Sequence, residues 1–305
     1  MRTGEEHLER SGRRRSVRVY VALLIAILAV SSSALLVRWA DTNPVGLAFW
    51  RTLAGAVILG LAARRASPGP TRQQWPFLLV AGLALGIHFS SWLASLELTS
   101  VAASVTLVSL APLIIVFALA ASGRPPGPRA WVAVALALVG TVIITAGDIG
   151  GDREALIGDG LALVGAGALA MYLMAGDRLR SSLPTSVYAS RVYAVAACSL
   201  VPALVVFRIP VWGYDRTTWL AILAMIAGPQ LAGHTLLNLL LKPLGSLAVS
   251  LALLVEPIGA TLLVWLALGE RPPPAAAIGA PLVLAGLALH LLSGAEGSEP
   301  EPVGC

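Results

Sequence analysis

Long apolar stretches alternate with short connections rich in Pro, Gly and charge along almost the whole chain. A membrane-spanning helix needs about 20 mostly apolar residues, and the chain offers such stretches repeatedly. The predicted spans cover residues 19–37, 45–63, 75–96, 100–121, 130–147, 158–176, 185–207, 219–241, 245–268 and 274–293. Pro and Gly in the connections end helices and make turns. The pattern predicts an all-α membrane protein with ten transmembrane helices.

Composition supports this class and excludes others. Of the 305 residues, 57% are hydrophobic and 12% are charged, against about 25% charged in ordinary soluble domains. A soluble enzyme of this size needs a polar shell, and this chain has too few charged residues to form one. Intrinsic disorder is excluded as well, because it requires low hydrophobicity. Two cysteines, Cys198 and Cys305, make no disulfide framework. The expected surroundings are a lipid bilayer.

The positions of the basic residues predict the orientation. Although the net charge is +5, the basic residues lie at span ends rather than on one stripe, which argues against nucleic acid as a partner. Most lie in the N-terminal tail or in the loops on its side: Arg2, Arg10, Arg13, Arg14, Arg15, Arg18, Arg64, Arg65, Arg72, Arg124, Arg129, Arg178, Arg180 and Lys242. The opposite loops hold Arg38, Arg153, Arg208, Arg216 and Arg271. The positive-inside rule then predicts a protein of the cell (cytoplasmic) membrane with both termini in the cytoplasm.

The two tails are predicted to be cytoplasmic, residues 1–18 as a basic segment and residues 294–305 as a disordered acidic one. The first span also has features of a cleaved signal peptide, namely a basic start, an apolar run and small residues at 31–34. We favour a retained span, because the internal repeat described next needs it as its first member.

The chain contains an internal repeat. Pro44-x6-Arg51 recurs as Pro184-x6-Arg191 at an offset of 140 residues. At an offset of 146, His88 pairs with His234, Gly123 with Gly269 and Gly140 with Gly286. The first repeat covers 19–147 and the second 158–293, each with five predicted spans. Because each repeat has an odd number of spans, the second copy enters the membrane in the opposite orientation to the first. Inverted repeats with a binding site near the bilayer midplane are typical of secondary transporters.

Specific residues resemble those of EamA-type permeases of the drug/metabolite transporter superfamily. The resemblance is carried by Pro44-x6-Arg51, the Ser100–Ser104 stretch before Pro112, the second-copy residues Gly233-His234-Thr235, Asn238 and Ser246 to Ser250, then Glu256-Pro257-Ile258-Gly259-Ala260 and Leu268-Gly269-Glu270-Arg271. One departure is Ser31-Ser32-Ser33, where many relatives carry a Trp. The resemblance implies two five-span EamA repeats and permeation or export of small metabolites, often amino acids or drugs.

Polar and aromatic residues inside the spans are candidates for a substrate cavity, because buried polar groups in membranes face the bundle interior or water. His88 and Trp92 share a helix face, as do His234 and Asn238 at the repeat-related positions. Interhelical hydrogen bonding is the alternative for both pairs, and His could also relay a proton. Glu256 could accept a coupling proton or bind an amine, or it could bond backbone freed by Pro257. Trp50 and Tyr172 are pocket candidates for which ordinary packing is the alternative.

The remaining candidates are paired across the repeats. Arg51 and Arg191 are either structural, bonding carbonyls or reaching an interface, or they attract an anionic substrate group. Pro112 and Pro257 are predicted helix kinks, since proline removes a backbone donor.

We expect no cofactor, metal or catalytic residue, because the chain has no Walker A, His-Glu-x-x-His or Gly-x-Ser-x-Gly motif. The leading hypothesis is a secondary transporter that exports a small-molecule substrate, such as an amino acid or drug, by alternating access about a midplane cavity. Alternatives are a facilitator or exchanger of phosphorylated or nucleotide-linked metabolites and an intramembrane lipid-modifying enzyme. Proton coupling and a homodimer are left open.

Overall fold

The computed structural model describes residues 2–65, 69–99, 104, 107–145, 153–269 and 274–296, and all regular structure among them is helical. The helices are α1 (Arg2–Ser31), α2 (Ser33–Trp39), α3 (Pro44–Ala63), α4 (Trp75–Leu98), α5 (Ala111–Ala121), α6 (Pro128–Thr145), α7 (Arg153–Arg180), α8 (Thr185–Val206), α9 (Arg216–Met225), the π-helical segment (Ile226–His234), α10 (Thr235–Leu253), α11 (Glu256–Leu268) and α12 (Ala276–Glu296). The motif residues 100–103, Glu270 and Arg271, and the tail from 297 onward, lie outside the described residues.

Six segments are long and apolar enough to cross a membrane. They are Val17–Val37, Pro44–Ala63, Trp75–Leu98, Arg153–Arg180, Thr185–Val206 and Arg216–Leu253. Four shorter apolar helices are Ala111–Ala121, Pro128–Ile143, Glu256–Ala267 and Ala277–Ser293. The chain is therefore an all-α protein with at least six apolar spans, and the shorter helices fall where the fourth, fifth, ninth and tenth spans are predicted.

Two repeat-related prolines mark breaks in the helical chain. A turn at Ser109–Leu110 precedes α5, and a turn at residues 254–255 precedes α11. Pro112 and Pro257 each occupy the second position of the helix that follows. Proline has no N–H and its ring clashes with the carbonyl four residues earlier, so it fits a helix start better than a helix interior. Kinks are predicted at both prolines; in the structure a short turn, whose residues keep right-handed helical backbone angles, interrupts the helix just before each of them.

Repeat-related glycines adopt the same backbone conformation. Gly123, just beyond α5, has φ 74°, and Gly269, which caps α11, has φ 73°. This left-handed conformation is disfavoured for residues with a Cβ and commonly ends a helix. The equivalence found in the sequence therefore reflects two helices that stop in the same way.

The helices of one repeat pack mainly against those of the other. α4 of the first repeat packs on α7 of the second. The repeat-related pairing is also present, because the π-helical segment and α10 of the second repeat pack on α1 of the first. The α3–α8 and α6–α12 pairings each join equivalent helices. A Cβ on Gly140 would lie 2.5 Å from the Gly279 carbonyl oxygen, and one on Gly286 would lie 2.5 Å from the Ala133 carbonyl oxygen. These glycines allow α6 and α12 to approach closely.

The π-helical segment is a local departure from the repeat. It contains Pro229, and the Thr235 hydroxyl and backbone N–H both donate to the Gln230 carbonyl five residues earlier. The wider turn is consistent with the donor missing at Pro229, and such segments are frequent at functional sites. It places Gln230, which has no exposed surface, in the interior of the bundle.

Candidate functional site

A cavity of about 80 Å³ lies in the middle of the bundle, where the two helix breaks meet. That volume holds about five to eight water molecules. Its lining comes from both repeats: Ser33, Arg51, His88, Phe89, Trp92, Val108, Ser109, Ala111, Pro112, Leu169, His234, Ser250, Leu253, Leu254, Glu256 and Pro257. The cavity therefore joins the break between α1 and α2, the starts of α5 and α11, and the faces of α3 and α4.

Two helix N-termini begin at the cavity. The first residues of α5 are Ala111 and Pro112, and those of α11 are Glu256 and Pro257. Free N–H groups at a helix start carry partial positive charge, and discontinuous membrane helices use them to bind anionic groups. Glu256 is half-buried, and Ser31 Oγ donates to its carbonyl oxygen at 3.2 Å. The cavity lining thus contains the first residues of two helices, one of which is Glu256.

Arg51 is the buried cation of the cavity. Its side chain is 1% exposed, and its Nε donates to Gln230 Oε1 at 2.8 Å. Its guanidinium carbon lies 4.2 Å from the centroid of the Phe89 ring, which is a cation–π contact. Arg51 Nη2 is buried without a hydrogen-bond partner. The guanidinium is therefore oriented by a neutral amide and an aromatic face, while one of its donor groups has no hydrogen-bond partner.

His88 and Trp92 lie together on α4 as their spacing predicts. The His88 Nδ1 is 3.0 Å from the Gly165 carbonyl oxygen; since that oxygen only accepts, Nδ1 carries the proton. The two rings are parallel within 5°, with centroids 5.9 Å apart. Trp92 Nε1 is buried without a hydrogen-bond partner, so it is a second unsatisfied donor among the residues that line the cavity.

His234 reaches the cavity from the second repeat. It meets Phe89 edge to face, with ring centroids 5.1 Å apart, and Phe89 is 5.3 Å from His88. The two repeat-related histidines therefore flank one phenylalanine. Within the described residues no three His, Cys, Asp or Glu side chains lie together as metal ligands.

Tyr172 and Asn238 are absent from the described cavity lining and belong to an adjoining polar network. Tyr172 donates to Asn238 Oδ1 at 2.6 Å, and Asn238 Nδ2 donates to the Tyr193 hydroxyl at 3.2 Å. The Tyr193 and Thr235 hydroxyls are 3.3 Å apart, and Thr235 donates to the Gln230 carbonyl at 3.1 Å. The network connects α7, α8 and α10 to the residue that holds Arg51.

Arg180 extends this network toward the connection between α7 and α8. Its Nε donates to the Asn238 carbonyl at 2.9 Å, its Nη2 to Thr185 Oγ1 at 2.6 Å, and its Nη1 to the Leu183 carbonyl. The network thus continues through the backbone carbonyl of Asn238 to Arg180 and Thr185 at this end of the bundle.

Two further predicted site residues lie elsewhere. Trp50 donates to the Val211 carbonyl at 2.9 Å and forms an aromatic cluster with Trp212 and Trp219. Arg191 is exposed on α8. The repeat explains the contrast with Arg51: the residue 146 positions before Gln230 is Ala84, which has no acceptor to offer Arg191.

Sequence reasoning did not single out Gln230, Phe89 or Tyr193. An amide directly after a proline in an apolar span is a usable signal, because a polar side chain there needs a buried partner. No such signal exists for Phe89, because a phenylalanine in an apolar helix is ordinary. Its role depends on a tertiary contact, because Arg51 reaches the Phe89 ring from a different helix.

A family model described as "EamA-like transporter family" matches residues 17–146 and 156–292, one match for each repeat. A solved structure titled "Crystal structure of protein" is similar at a TM-score of 0.74 and 25% sequence identity, and the alignment covers 93% of this chain and 99% of that chain. No curated protein matches this chain.

Proposed function

We propose a function from the premise that this chain belongs to the EamA-like transporter family. Membership makes it a membrane transporter of the drug/metabolite superfamily. The proposal is that it is a secondary transporter which exports small metabolites, such as amino acids or drugs, by alternating access about the central cavity. The polar groups lining the cavity carry this proposal.

The proposed topology has ten spans in two inverted repeats. Six spans are long helices. The fourth would combine α5 with the residues before its break, and the ninth would combine residues 246–253 with α11. Gly245, at φ 79° and ψ 169°, separates the eighth span from the ninth. The exchange of helix pairings between repeats supports inversion, and with the termini in the cytoplasm the basic loops face inward.

The observation that supports a substrate site most directly is a set of buried donors without partners. Arg51 Nη2 and Trp92 Nε1 are both buried and unbonded, and both residues line the cavity with Glu256. A buried donor without an acceptor is costly, so a ligand that supplies acceptors gains from binding there. A carboxylate or similar group would meet Arg51, Trp92 and the helix N-termini, and an amine would meet Glu256.

Glu256 is also the proposed coupling group. It begins α11 and lines the same cavity as Arg51. A substrate anion bound at Arg51 would change the electrostatic field at Glu256, and a proton on Glu256 would change the field at Arg51. Substrate binding and protonation would therefore be linked. His88 and His234 face the same cavity and could carry that proton.

The test uses purified protein in liposomes with an imposed pH gradient and pooled amino acids, cationic drugs and sugar phosphates. Glu256→Gln is compared with Glu97→Gln, the same change at an exposed residue. Arg51→Met is compared with Arg191→Met, which changes the repeat-related exposed arginine. We expect gradient-driven uptake that Glu256→Gln and Arg51→Met abolish and that both control variants keep.

Other outcomes separate the alternatives. Uptake that ignores the gradient and survives Glu256→Gln would make the protein a facilitator or exchanger. Uptake confined to sugar phosphates would favour the phosphorylated-metabolite alternative. If no pool is transported, or if Arg51→Met transports as well as the wild type, the cavity does not bind substrate as proposed.

A further inference from the structure

A second cavity of about 640 Å³ lies apart from the central one, between α4, α5 and α7. We call it the lateral groove. Its apolar walls include Phe77 and Val80 of α4, Ile114 and Ala118 of α5, and Met171 and Met174 of α7. Methionine adapts its shape to irregular apolar partners. The groove is therefore wide enough and apolar enough for a hydrocarbon chain.

The groove opens sideways from the bundle. Val80, Ile114 and Met171 line it and are 40%, 36% and 52% exposed. Val80 and Met171 belong to the apolar spans Trp75–Leu98 and Arg153–Arg180. In a bilayer these exposed side chains face acyl chains, so the opening is toward lipid and away from water.

One end of the groove is basic. Arg124, just after α5, and Arg178, near the end of α7, both line it. The Arg178 guanidinium carbon lies 4.5 Å from the centroid of the Phe77 ring, which holds it at the groove. The single acid there, Asp177, accepts hydrogen bonds from Ser246 N at 3.2 Å and from Ser246 Oγ at 3.1 Å through the same oxygen. Two arginines and one aspartate leave a net charge of +1, which complements one phosphodiester.

We propose that the lateral groove binds an anionic phospholipid. The phosphate lies between Arg124 and Arg178, and one acyl chain follows the apolar wall past Met171 and Ile114. Basic pockets between membrane helices are sites where anionic headgroups bind. This inference does not depend on the proposed substrate or on the central cavity.

The first experiment measures lipid binding to the purified full-length protein by native mass spectrometry. The protein is exchanged into mild detergent and titrated with phosphatidylglycerol or with phosphatidylcholine of the same acyl chains. We expect one phosphatidylglycerol to bind per protein and phosphatidylcholine to bind more weakly. Inorganic phosphate and glycerol phosphate are added as competitors, to distinguish a site that binds a free phosphate group from one that binds the whole lipid.

Charge is tested by Arg124→Gln with Arg178→Gln. The matched control is Arg64→Gln with Arg65→Gln, which removes two exposed arginines near the end of α3 and outside the described groove lining. Losing both arginines removes the positive charge that faces the phosphate, so phosphatidylglycerol binding should weaken roughly 30-fold, which is about 2 kcal/mol. The control pair should bind as the wild type does.

The apolar part is tested by Gly167→Leu. A Cβ on Gly167 meets nothing within 4 Å, and Gly167 lines the groove, so the leucine would fill the groove without a clash. Gly160→Leu is the control: it lies two turns earlier on the same face of α7, also meets nothing within 4 Å, and does not line the described groove. We expect only Gly167→Leu to lose bound phospholipid.

Several results would overturn the proposal. If the two lipids bind equally well, or if the Arg124/Arg178 variant binds phosphatidylglycerol as tightly as the wild type does, charge does not contribute to binding. Competition by inorganic phosphate with no dependence on acyl chains would mean a free anion site. Wild-type binding by Gly167→Leu would place the lipid elsewhere. A circular dichroism melt of each variant checks that it is folded.

Discussion

Replacing Gln230 by leucine tests the contact that orients Arg51. The leucine fills similar volume but removes Oε1, so Arg51 Nε loses its acceptor at 2.8 Å. Arg51 Nη2 is already without a partner, and the side chain is too buried to recover water. Hydrogen bonds to charged groups contribute about 1.5–3 kcal/mol, whereas hydrogen bonds between membrane helices average about 0.6 kcal/mol. We expect the Arg51–Gln230 pair to fall in the higher range.

The assay is a double-mutant cycle on unfolding in micelles. The four proteins are the wild type, Gln230→Leu, Arg51→Met and the double variant, and the coupling energy is the departure from additivity. We expect about 2 kcal/mol of coupling, because removing the charge first makes the loss of the amide acceptor much less costly. Thr52→Val combined with Gln230→Leu is the control cycle. Thr52 neighbours Arg51 on α3 but bonds its own helix at the Ala48 carbonyl, 2.7 Å away.

Additivity within about 0.5 kcal/mol would refute the reasoning, since it would mean that Gln230 and Arg51 do not depend on each other. Equal coupling in the Thr52 control cycle would also refute it, because the effect would then come from repacking of the π-helical segment rather than from the charged hydrogen bond.

Gly140→Ala should destabilise the protein by about 1–3 kcal/mol because of overpacking, whereas Gly160→Ala, whose Cβ meets open space, should not; thermal melts of both decide. Gly245→Ala should cost about 1–3 kcal/mol, because φ 79° and ψ 169° suit only glycine; a loss below about 0.5 kcal/mol would contradict this backbone conformation at Gly245. Trp50→Phe removes the hydrogen bond to the Val211 carbonyl, so limited proteolysis should cut residues 207–215 faster, and an unchanged cleavage rate would show that the remaining aromatic contacts suffice.

The sequence predicted those features that repeat-related prolines and glycines determine locally. Equivalent positions such as Gly123 and Gly269, or Pro112 and Pro257, carry the same residue, and the structure gives each pair the same backbone role. Apolar length alone also located the six long spans. Such features depend on local chemistry, namely the missing donor of proline and the missing Cβ of glycine, so they can be read without tertiary information.

The candidate site could be predicted only in part. The sequence proposed His88, Trp92, His234 and Glu256 as candidate cavity residues, and the structure places all four in the lining of one cavity; helix spacing and repeat equivalence relate the two histidines and Trp92, whereas Glu256 has Ala111 at its repeat-related position. It treated Arg51 and Arg191 alike, and their surroundings differ. That difference depends on the π-helical segment, which carries Gln230 toward α3 and has Ala84 at its repeat-related position. Tertiary partners outside the repeat pattern decide which arginine is buried.

The hydrogen bond between Arg51 and Gln230 has a consequence for how the protein is made. The partners are 179 residues apart in the chain, and synthesis at about 5–20 residues per second separates them by roughly 10–35 s. During that interval the second span holds a guanidinium without its amide partner, and a central arginine costs about 2.5–3.5 kcal/mol on insertion scales. The apolar residues of α3 on both sides of Arg51 must offset this cost during the interval. Until the segment that carries Gln230 has been synthesised, the first repeat therefore lacks this hydrogen bond.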